Sequence, residues 1–421
     1  MIKAGALFYA IAISLVIAII CSSYIIFAHY NRLNNLILEQ NQKLIINANS
    51  GFNLLLSNSL AFPIGEKIII DLFSDQKDTV ILERKQWGLF EVAVSRAVFK
   101  NLESLKVGMI GQHVNNENGF ALYLADFEKP LSLCGNTVLS GKCFLPKAGI
   151  KRAYIEGQNF AGEKFVNGTE LNSNRQLPEV NQTLIELNKK YFNNDYSATD
   201  SLVIFDKEFI ADTLIHSFKD LTVLIKSKST ITLLKKVLKG NIKIISDESV
   251  FIGASAMLQD VIVYAPKITI EDGFIGSLQL IATDSIIIGK GCNLTYPSAV
   301  SLIRNNKSAH NIYCEINENT RLSGVVFAFE KQQEDIFKKI SVHLEKNTLA
   351  IGEIFVVGSI DLKGKVYGDL TCNKFVLQTP SSTYENHLLN AVIDFNKLPL
   401  HFTSAAFLKE PKNKGIVKWL N

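Results

Sequence analysis

The sequence lacks clustered charge and the spaced ligands of common metal sites. Its 421 residues include 44 Lys and Arg against 40 Asp and Glu, and they contain no basic block. Because nucleic-acid binding depends on concentrated positive charge, the sequence gives it no support. The seven histidines form no H-E-x-x-H motif, and the six cysteines form no C-x-x-C pair. A zinc protease, a zinc ribbon and a thioredoxin-type site are therefore not expected.

Two of the cysteines bracket one short segment. Cys134 and Cys143 flank CGNTVLSGKC, which predicts a hairpin whose ends a disulfide would join. Two small buried apolar side chains are the alternative, since free cysteine is among the most buried residue types. The choice depends on the redox compartment, which this pattern leaves open.

The longest apolar run lies at the N-terminus, directly after a leader of residues 1–3. Residues 4–28 carry no charge, and about 20 apolar residues suffice to cross a bilayer. A cleaved signal peptide would have a shorter apolar region and a small-x-small site after it, whereas Tyr24 to Tyr30 offers none. The run therefore predicts a single-pass transmembrane helix over 4–28.

Few charges flank this helix. Lys3 precedes it, and His29, Arg32 and Lys43 follow it, so the positive-inside rule decides little. A short basic N-terminus before an apolar helix is the usual bacterial export arrangement. We therefore expect a bacterial inner-membrane protein whose soluble part lies outside the cytoplasm, in the periplasm or on the cell surface.

The helical pattern continues beyond the membrane as a stalk over 29–62. Apolar residues recur at steps of three, four or seven, namely Leu33, Ile37, Leu44, Ala48, Phe52 and Leu55. Pro63 forbids further continuation. One helix from residue 4 to about residue 60 would be about 85 Å long.

Residues 1–60 resemble minor pilins and minor pseudopilins. The likeness rests on the leader MIKAG, the apolar helix that begins near residue 4, and the segment 46–54, in which small residues precede Gly51. The resemblance implies that the helix packs beside the helices of partner subunits in a filament or its tip. Ala10 occupies the fifth position after a cleavage at Gly5, where the family has a glutamate. A plain signal anchor followed by a stalk is the alternative.

On either interpretation, nine helix residues are expected to contact lipid or partner helices. They are Leu7, Phe8, Ile13, Ile17, Ile20, Ile37, Leu44, Ala48 and Phe52.

Residues 63–130 predict a small α/β region. Residues 67–73, 80–82 and 120–124 have strand patterns. Residues 87–105 have apolar residues at every fourth position, at Phe90, Val94, Val98 and Leu102, which predicts a helix.

An internal repeat of 18 residues is the clearest signal in the rest of the chain. Three columns keep this interval: Val250, Ile268 and Ile286; Ile252, Ile270 and Ile288; and Ile244, Ile262 and Leu280. Stacked columns of branched side chains are typical of a parallel β-solenoid, whose coils are stable only against their neighbours.

The fold class that follows is mainly β, with a long N-terminal helix, a small α/β region and then the solenoid. The solenoid is expected over 131–383, with helical insertions near 178–200 and 328–340. Residues 384–421, with Trp419, are expected to cap its end. The glycine-punctuated strands resemble in texture the polymer-forming β-helices of bactofilins.

Catalytic and ligand-binding motifs are matched only in part. Residues 135–142 imitate a phosphate loop, but five residues separate the two glycines where four are needed. Asp361, Lys363 and Lys365 alternate, either as a lyase-like cluster or as an exposed, self-compensating face. Residues 379–387 form the densest polar cluster, either a ligand site or a terminating loop. We therefore predict no catalytic, cofactor-binding or metal-binding residues.

These observations favour a non-enzymatic, membrane-anchored envelope protein, a structural or minor-pilin-like component of a type IV pilus or type II secretion-like assembly. Its expected partners are the membrane and other membrane-anchored helices or pilin-like subunits. A surface adhesin or glycan-binding solenoid is the first alternative, with a glycan as partner. A carbohydrate-active enzyme on a β-helix is the second.

Overall fold

The protein is mainly β, with one long N-terminal helix and a large region of stacked parallel strands. The computed structural model describes residues 4–57, 62–72, 79–114, 119–193, 195, 201–205, 212–304, 312–330, 340–409 and 414–420. Within these ranges the α-helices are α1 (Ala4–Ser57) and α2 (Gln182–Asn193), and a 3-10 helix covers Phe395–Lys397.

The first strands in the chain are β1 (Lys67–Ile70), β2 (Thr79–Trp87), β3 (Phe90–Phe99), β4 (Leu102–His113), β5 (Leu122–Leu124), β6 (Leu131–Cys134), β7 (Val138–Ser140), β8 (Cys143–Leu145), β9 (Ile150–Arg152), β10 (Tyr154–Ile155), β11 (Gln158–Asn159) and β12 (Glu170–Asn172). The next are β13 (Ser201–Phe205), β14 (Thr213–His216), β15 (Thr222–Ser227), β16 (Ile231–Leu233), β17 (Val237–Gly240), β18 (Ile242–Ser246), β19 (Ser249–Ile252), β20 (Met257–Ile270), β21 (Ile275–Ile288) and β22 (Asn293–Ile303). The last are β23 (Ile312–Ile316), β24 (Arg321–Phe329), β25 (Ile340–Leu344), β26 (Leu349–Leu362), β27 (Lys365–Gln378), β28 (Thr383–Glu385), β29 (His387–Leu389), β30 (Val392–Asp394), β31 (Thr403–Ser404) and β32 (Lys414–Trp419).

The chain divides into two compact units. The helix unit comprises residues 1–84 and 93–106, and the solenoid unit comprises residues 85–92 and 107–421.

The helix unit packs the second half of α1 on an antiparallel sheet. β1 pairs with β2 from Lys67 opposite Glu83 to Ile70 opposite Val80, and β3 and β4 follow in the same sheet. The helix predicted over 87–105 is wrong, because β3 and β4 occupy this segment. A step of four residues is also a multiple of two, so the apolar positions that suggested a helix fit one face of a strand equally well.

The solenoid unit is built from coils with three strand faces each. In the coil 257–270 the first face is 257–259, the second is 261–265 and the third is 267–270, and each pairs in parallel with the coil on either side. Apolar side chains of successive coils fill the interior as one continuous cluster. The predicted parallel β-solenoid is confirmed.

Two of the three predicted columns are confirmed, and the third is wrong by one residue. Val250, Ile268 and Ile286 lie opposite one another, and so do Ile252, Ile270 and Ile288. In the third column Val263, not Ile262, lies between Ile244 and Leu280. The register shifts at Asp260, whose φ of 61° marks an extra residue in the strand, and this β-bulge turns Ile262 away from the core.

One corner of the coils requires a left-handed backbone. It carries Gly273 and Gly291 and then Asn319 and Asn347, with φ between 60° and 80°. Glycine and asparagine adopt this conformation at the lowest cost. Asn347 also donates from its side-chain Nδ2 to the side-chain Oδ1 of Asn319 in the coil before it, at 3.2 Å.

The order of the coils in space differs from their order in the sequence. β30 pairs with β27 on one side and with β7 on the other, while β5 pairs with β27 and β8. Segment 122–172 therefore stacks beyond the last C-terminal coil. Residues 387–394, the first part of the predicted cap, lie inside the stack, and 414–419 pair with β4.

The structure has helix α2 within the region 178–200, and Asn181 caps it by accepting from the Thr183 N–H at 3.1 Å. The other predicted insertion, near 328–340, falls mainly on 331–339, outside the described residues.

Candidate functional site

The first two thirds of α1 expose apolar side chains that nothing in the described structure covers. Leu7, Phe8, Ile13, Ile17 and Ile20 are between 54% and 71% exposed. Ile37 is 47% exposed. Residues 5–57 contain one candidate membrane span by length and composition, with a mean hydropathy of 2.6 in its most apolar window and none of that window buried.

One face of the last third of α1 is buried, whereas Ile45 and Ile46 on the other side are 53% and 57% exposed. Leu44, Ala48 and Phe52 are at most 1% exposed. Helix and sheet approach closely at Gly51, where an added Cβ would lie 2.5 Å from Ser95 Oγ and 2.8 Å from Val80 Cγ1. In the described structure these three side chains are therefore part of an intramolecular core.

The two cysteines considered for a disulfide are buried free thiols. Cys134 packs with Ile155 and Leu377, whereas Cys143 lies in the solenoid core. Burial raises the pKa of the Cys143 thiol to about 12, with a further contribution from the nearby Glu170 carboxylate. A thiol that stays protonated is a poor nucleophile.

A pair of carboxyl groups lies under the C-terminal segment on the second face. Glu353 and Asp369 are opposite each other in β26 and β27, and Ser404 donates a hydrogen bond to Glu353. Burial raises the pKa of Glu353 to about 7 and, together with the negative charge of Glu353, raises the pKa of Asp369 well above its usual range. The two carboxyls hydrogen-bond each other, so the protonated form of the pair is favoured.

The polar cluster around Asp361 is an ion-pair network. Lys363 Nζ lies 3.3 Å from Asp361 Oδ2 and 3.0 Å from Glu345 Oε1. His343 contacts Ser341 Oγ at 3.1 Å through Nε2, but its Nδ1 is 3.9 Å from Asp361 Oδ2, too far for the hydrogen bond of a nucleophilic triad. Lys365 does not share this face, because it begins β27 and pairs with Leu349 on the first face.

The other motif candidates lie at turns. Gly135 and Gly141, both with positive φ, flank β7 at two corners of one coil. In segment 379–387, Thr379 and Ser382 close a turn through a 2.9 Å backbone hydrogen bond, and β27 then pairs antiparallel with β28.

In the first coils, the hairpin tip 85–92 and helix α2 cover the outer side of the second face. The sequence patterns did not reveal this. The tip of the β2–β3 hairpin, residues 85–92, is held by Gln279, which donates to the Trp87 carbonyl at 2.9 Å and accepts from the Leu89 N–H at 2.8 Å. Tyr264 is fully buried and donates to Asn188 of α2. The unbroken apolar run 261–265 was the available signal, since a strand buried on both sides does not alternate.

Within the described ranges, no three or more His, Cys, Asp or Glu side chains are grouped to hold a metal ion. No family model, no curated protein and no solved structure matches the chain.

Proposed function

We propose that this chain is a membrane-anchored structural protein of the bacterial envelope, a non-enzymatic, minor-pilin-like component of a type IV pilus or type II secretion-like assembly. The observation that carries the proposal is the division of α1 into an exposed apolar part and a part buried on its own sheet. The first part, which is exposed on all sides, needs surroundings that the described chain does not supply.

The free-energy cost of leaving this apolar surface in water shows that the segment needs to be covered. Burying a large apolar side chain contributes about 1.5–3 kcal/mol, and residues 7–38 expose many of them. Leaving them in water would cost on the order of tens of kcal/mol, more than the net stability of a typical domain. A membrane, neighbouring helices or both must therefore cover this segment.

The composition of α1 separates two environments. Residues 5–27 are apolar around the whole helix, as lipid requires. From Asn31 onwards polar residues interrupt. Leu33, Leu36 and Ile37 form an exposed stripe at steps of three and four, and Leu38 beside it is 59% exposed. Such a stripe fits the side of a partner helix, which favours assembly over a plain anchor.

A photo-crosslinking residue at Ile37 tests the assembly role. In native membranes, Ile37 replaced by p-benzoylphenylalanine should give adducts with another membrane-anchored chain or a second copy. The same residue at Leu44 is the matched control, because this side chain is 1% exposed in the described structure. Adducts with lipid alone at Ile37, with the membrane fraction intact, would leave only the anchor and contradict the assembly role.

A further inference from the structure

A cavity of about 550 Å³ lies in the solenoid unit beside the ends of β14, β17 and β32. Residues of the first coils form one wall, including His216, Lys239 and Gln259, and Lys418 and Trp419 of β32 form another. This volume lies in the range of small-molecule sites in proteins. The residues that line this cavity include no residue of α1 and neither carboxyl of the Glu353–Asp369 pair.

The β-bulge at Asp260 shapes one wall of this cavity. The side chain of Asp260 is 8% exposed, and its Oδ2 lies 2.6 Å from Lys418 Nζ. Its other oxygen, Oδ1, is buried and has no hydrogen-bond donor within the described protein. A buried acceptor without a donor costs about 1–3 kcal/mol, and a ligand hydroxyl that reached it would recover this energy.

Trp419 supplies a different kind of contact to the same cavity. Its side chain is 45% exposed, whereas the other tryptophan, Trp87, is 3% exposed. An indole combines a large apolar ring with a hydrogen-bonding N–H. The C–H face of a sugar ring packs well on such a surface, while its hydroxyls remain available to polar side chains.

The charges around the cavity favour a neutral ligand. The lining contains the cations Lys239 and Lys418 and the anions Asp220 and Asp260, and Lys418 is already paired with Asp260. Neither sign of charge is in excess, so a phosphate or a carboxylate ligand would gain little. Gln259 adds an amide that can both donate to and accept from adjacent hydroxyls.

We propose that this cavity binds a neutral saccharide, with the Trp419 indole as the stacking surface and Asp260 Oδ1 as the acceptor for a sugar hydroxyl. This site goes beyond the structural role proposed for the chain. A membrane-anchored assembly component with such a site would contact glycan on the soluble side of its anchor.

Saturation-transfer NMR on the full-length chain in detergent tests the site, with maltose, cellobiose, lactose and chitobiose as probes and glucuronic acid as the acidic comparison. At least one disaccharide should bind, and Trp419→Ala should weaken binding at least about tenfold, equal to about 1.4 kcal/mol. Asp260→Ala should weaken it similarly, and Trp419→Phe should retain part of it. Tyr154→Ala is the matched control, because Tyr154 is 67% exposed and is not among the residues that line the cavity.

The unfolding temperature of each variant, measured alongside, shows whether weaker binding reflects the site. If Asp260→Ala unfolds at a lower temperature than the unmodified chain, the comparison of sugar affinity between Trp419→Phe and Trp419→Ala decides the test. No saturation transfer to any of the four sugars at millimolar concentration would overturn the proposal. Binding that Trp419→Ala leaves unchanged would overturn it as well, and so would transfer only to acidic sugars such as glucuronic acid.

Discussion

Raising the pH should destabilise the solenoid unit through the carboxyl pair Glu353 and Asp369. In the folded protein Glu353 keeps its proton up to a pKa of about 7, whereas an unfolded glutamate loses it near 4.5. Between these values the unfolded chain binds fewer protons, so the free energy of unfolding falls as the pH rises. The stabilisation is complete below pH 4.5 and lost above about pH 7.

The magnitude follows from the difference between the two pKa values. The difference of about 2.5 between 4.5 and about 7 corresponds to about 3 kcal/mol for Glu353. Asp369, whose pKa is also raised, changes stability in the same direction. The expected loss is a large fraction of the stability of an ordinary domain.

Urea unfolding of the full-length chain in detergent, followed by tryptophan fluorescence, measures this loss across the pH range. Glu353→Gln, which is neutral at every pH and can still hydrogen-bond Ser404, should remove the part of the decline that Glu353 causes and leave the part that the burial of Asp369 causes. Glu163→Gln is the control, because Glu163 is exposed and should keep the wild-type pH dependence. A midpoint that stays constant or rises with pH, or an unchanged decline in Glu353→Gln, would refute the assignment of a shared proton.

Three substitutions test the packing, each by thermal unfolding of the full-length chain in detergent. Phe52→Ala should lower the free energy of unfolding by about 3–5 kcal/mol, because it leaves a cavity between α1 and its sheet. Asn53→Ala, on the exposed side of the helix, should change stability little, and equal effects of the two substitutions would contradict the packing. Asn319→Val should cost about 1–2 kcal/mol and Asn319→Gly almost nothing, because the corner is left-handed. Gln279→Leu should cost about 2–4 kcal/mol by leaving two backbone groups of the hairpin tip unpaired, whereas the exposed Gln378→Leu should be near neutral.

The repeat could be predicted because it depends only on the intervals between residues along the sequence. Side chains two residues apart lie on one face of a strand, and side chains 18 residues apart lie on neighbouring coils. The stacking of Val250, Ile268 and Ile286 could therefore be predicted without knowledge of the rest of the fold. The error at Ile262 arose where one extra residue, Asp260, breaks the spacing. The position of a β-bulge depends on the contacts of the strand in the folded protein, and the periodicity of the sequence does not reveal those contacts.

The order of the coils could not be predicted in the same way. β5 pairs in parallel with β27, some 250 residues later in the chain. No local pattern distinguishes this partner from the next coil in sequence. The cavity at Trp419 was missed for the same reason, since it joins the bulge at Asp260 to a C-terminal strand.

The orientation and the membrane anchor can be tested together by thiol labelling in intact spheroplasts. The native solenoid thiols give little background, because Cys134, Cys143, Cys292, Cys314 and Cys372 are at most 1% exposed, and Cys21→Ser removes the exposed one. In that background, Met257→Cys reports a solenoid position that is 61% exposed, and Ile17→Cys reports the helix. We expect a membrane-impermeant maleimide to label Met257→Cys without lysis and to label Ile17→Cys only after denaturation. Labelling of Met257→Cys only after lysis would place the solenoid in the cytoplasm, and ready labelling of Ile17→Cys would contradict the membrane anchor.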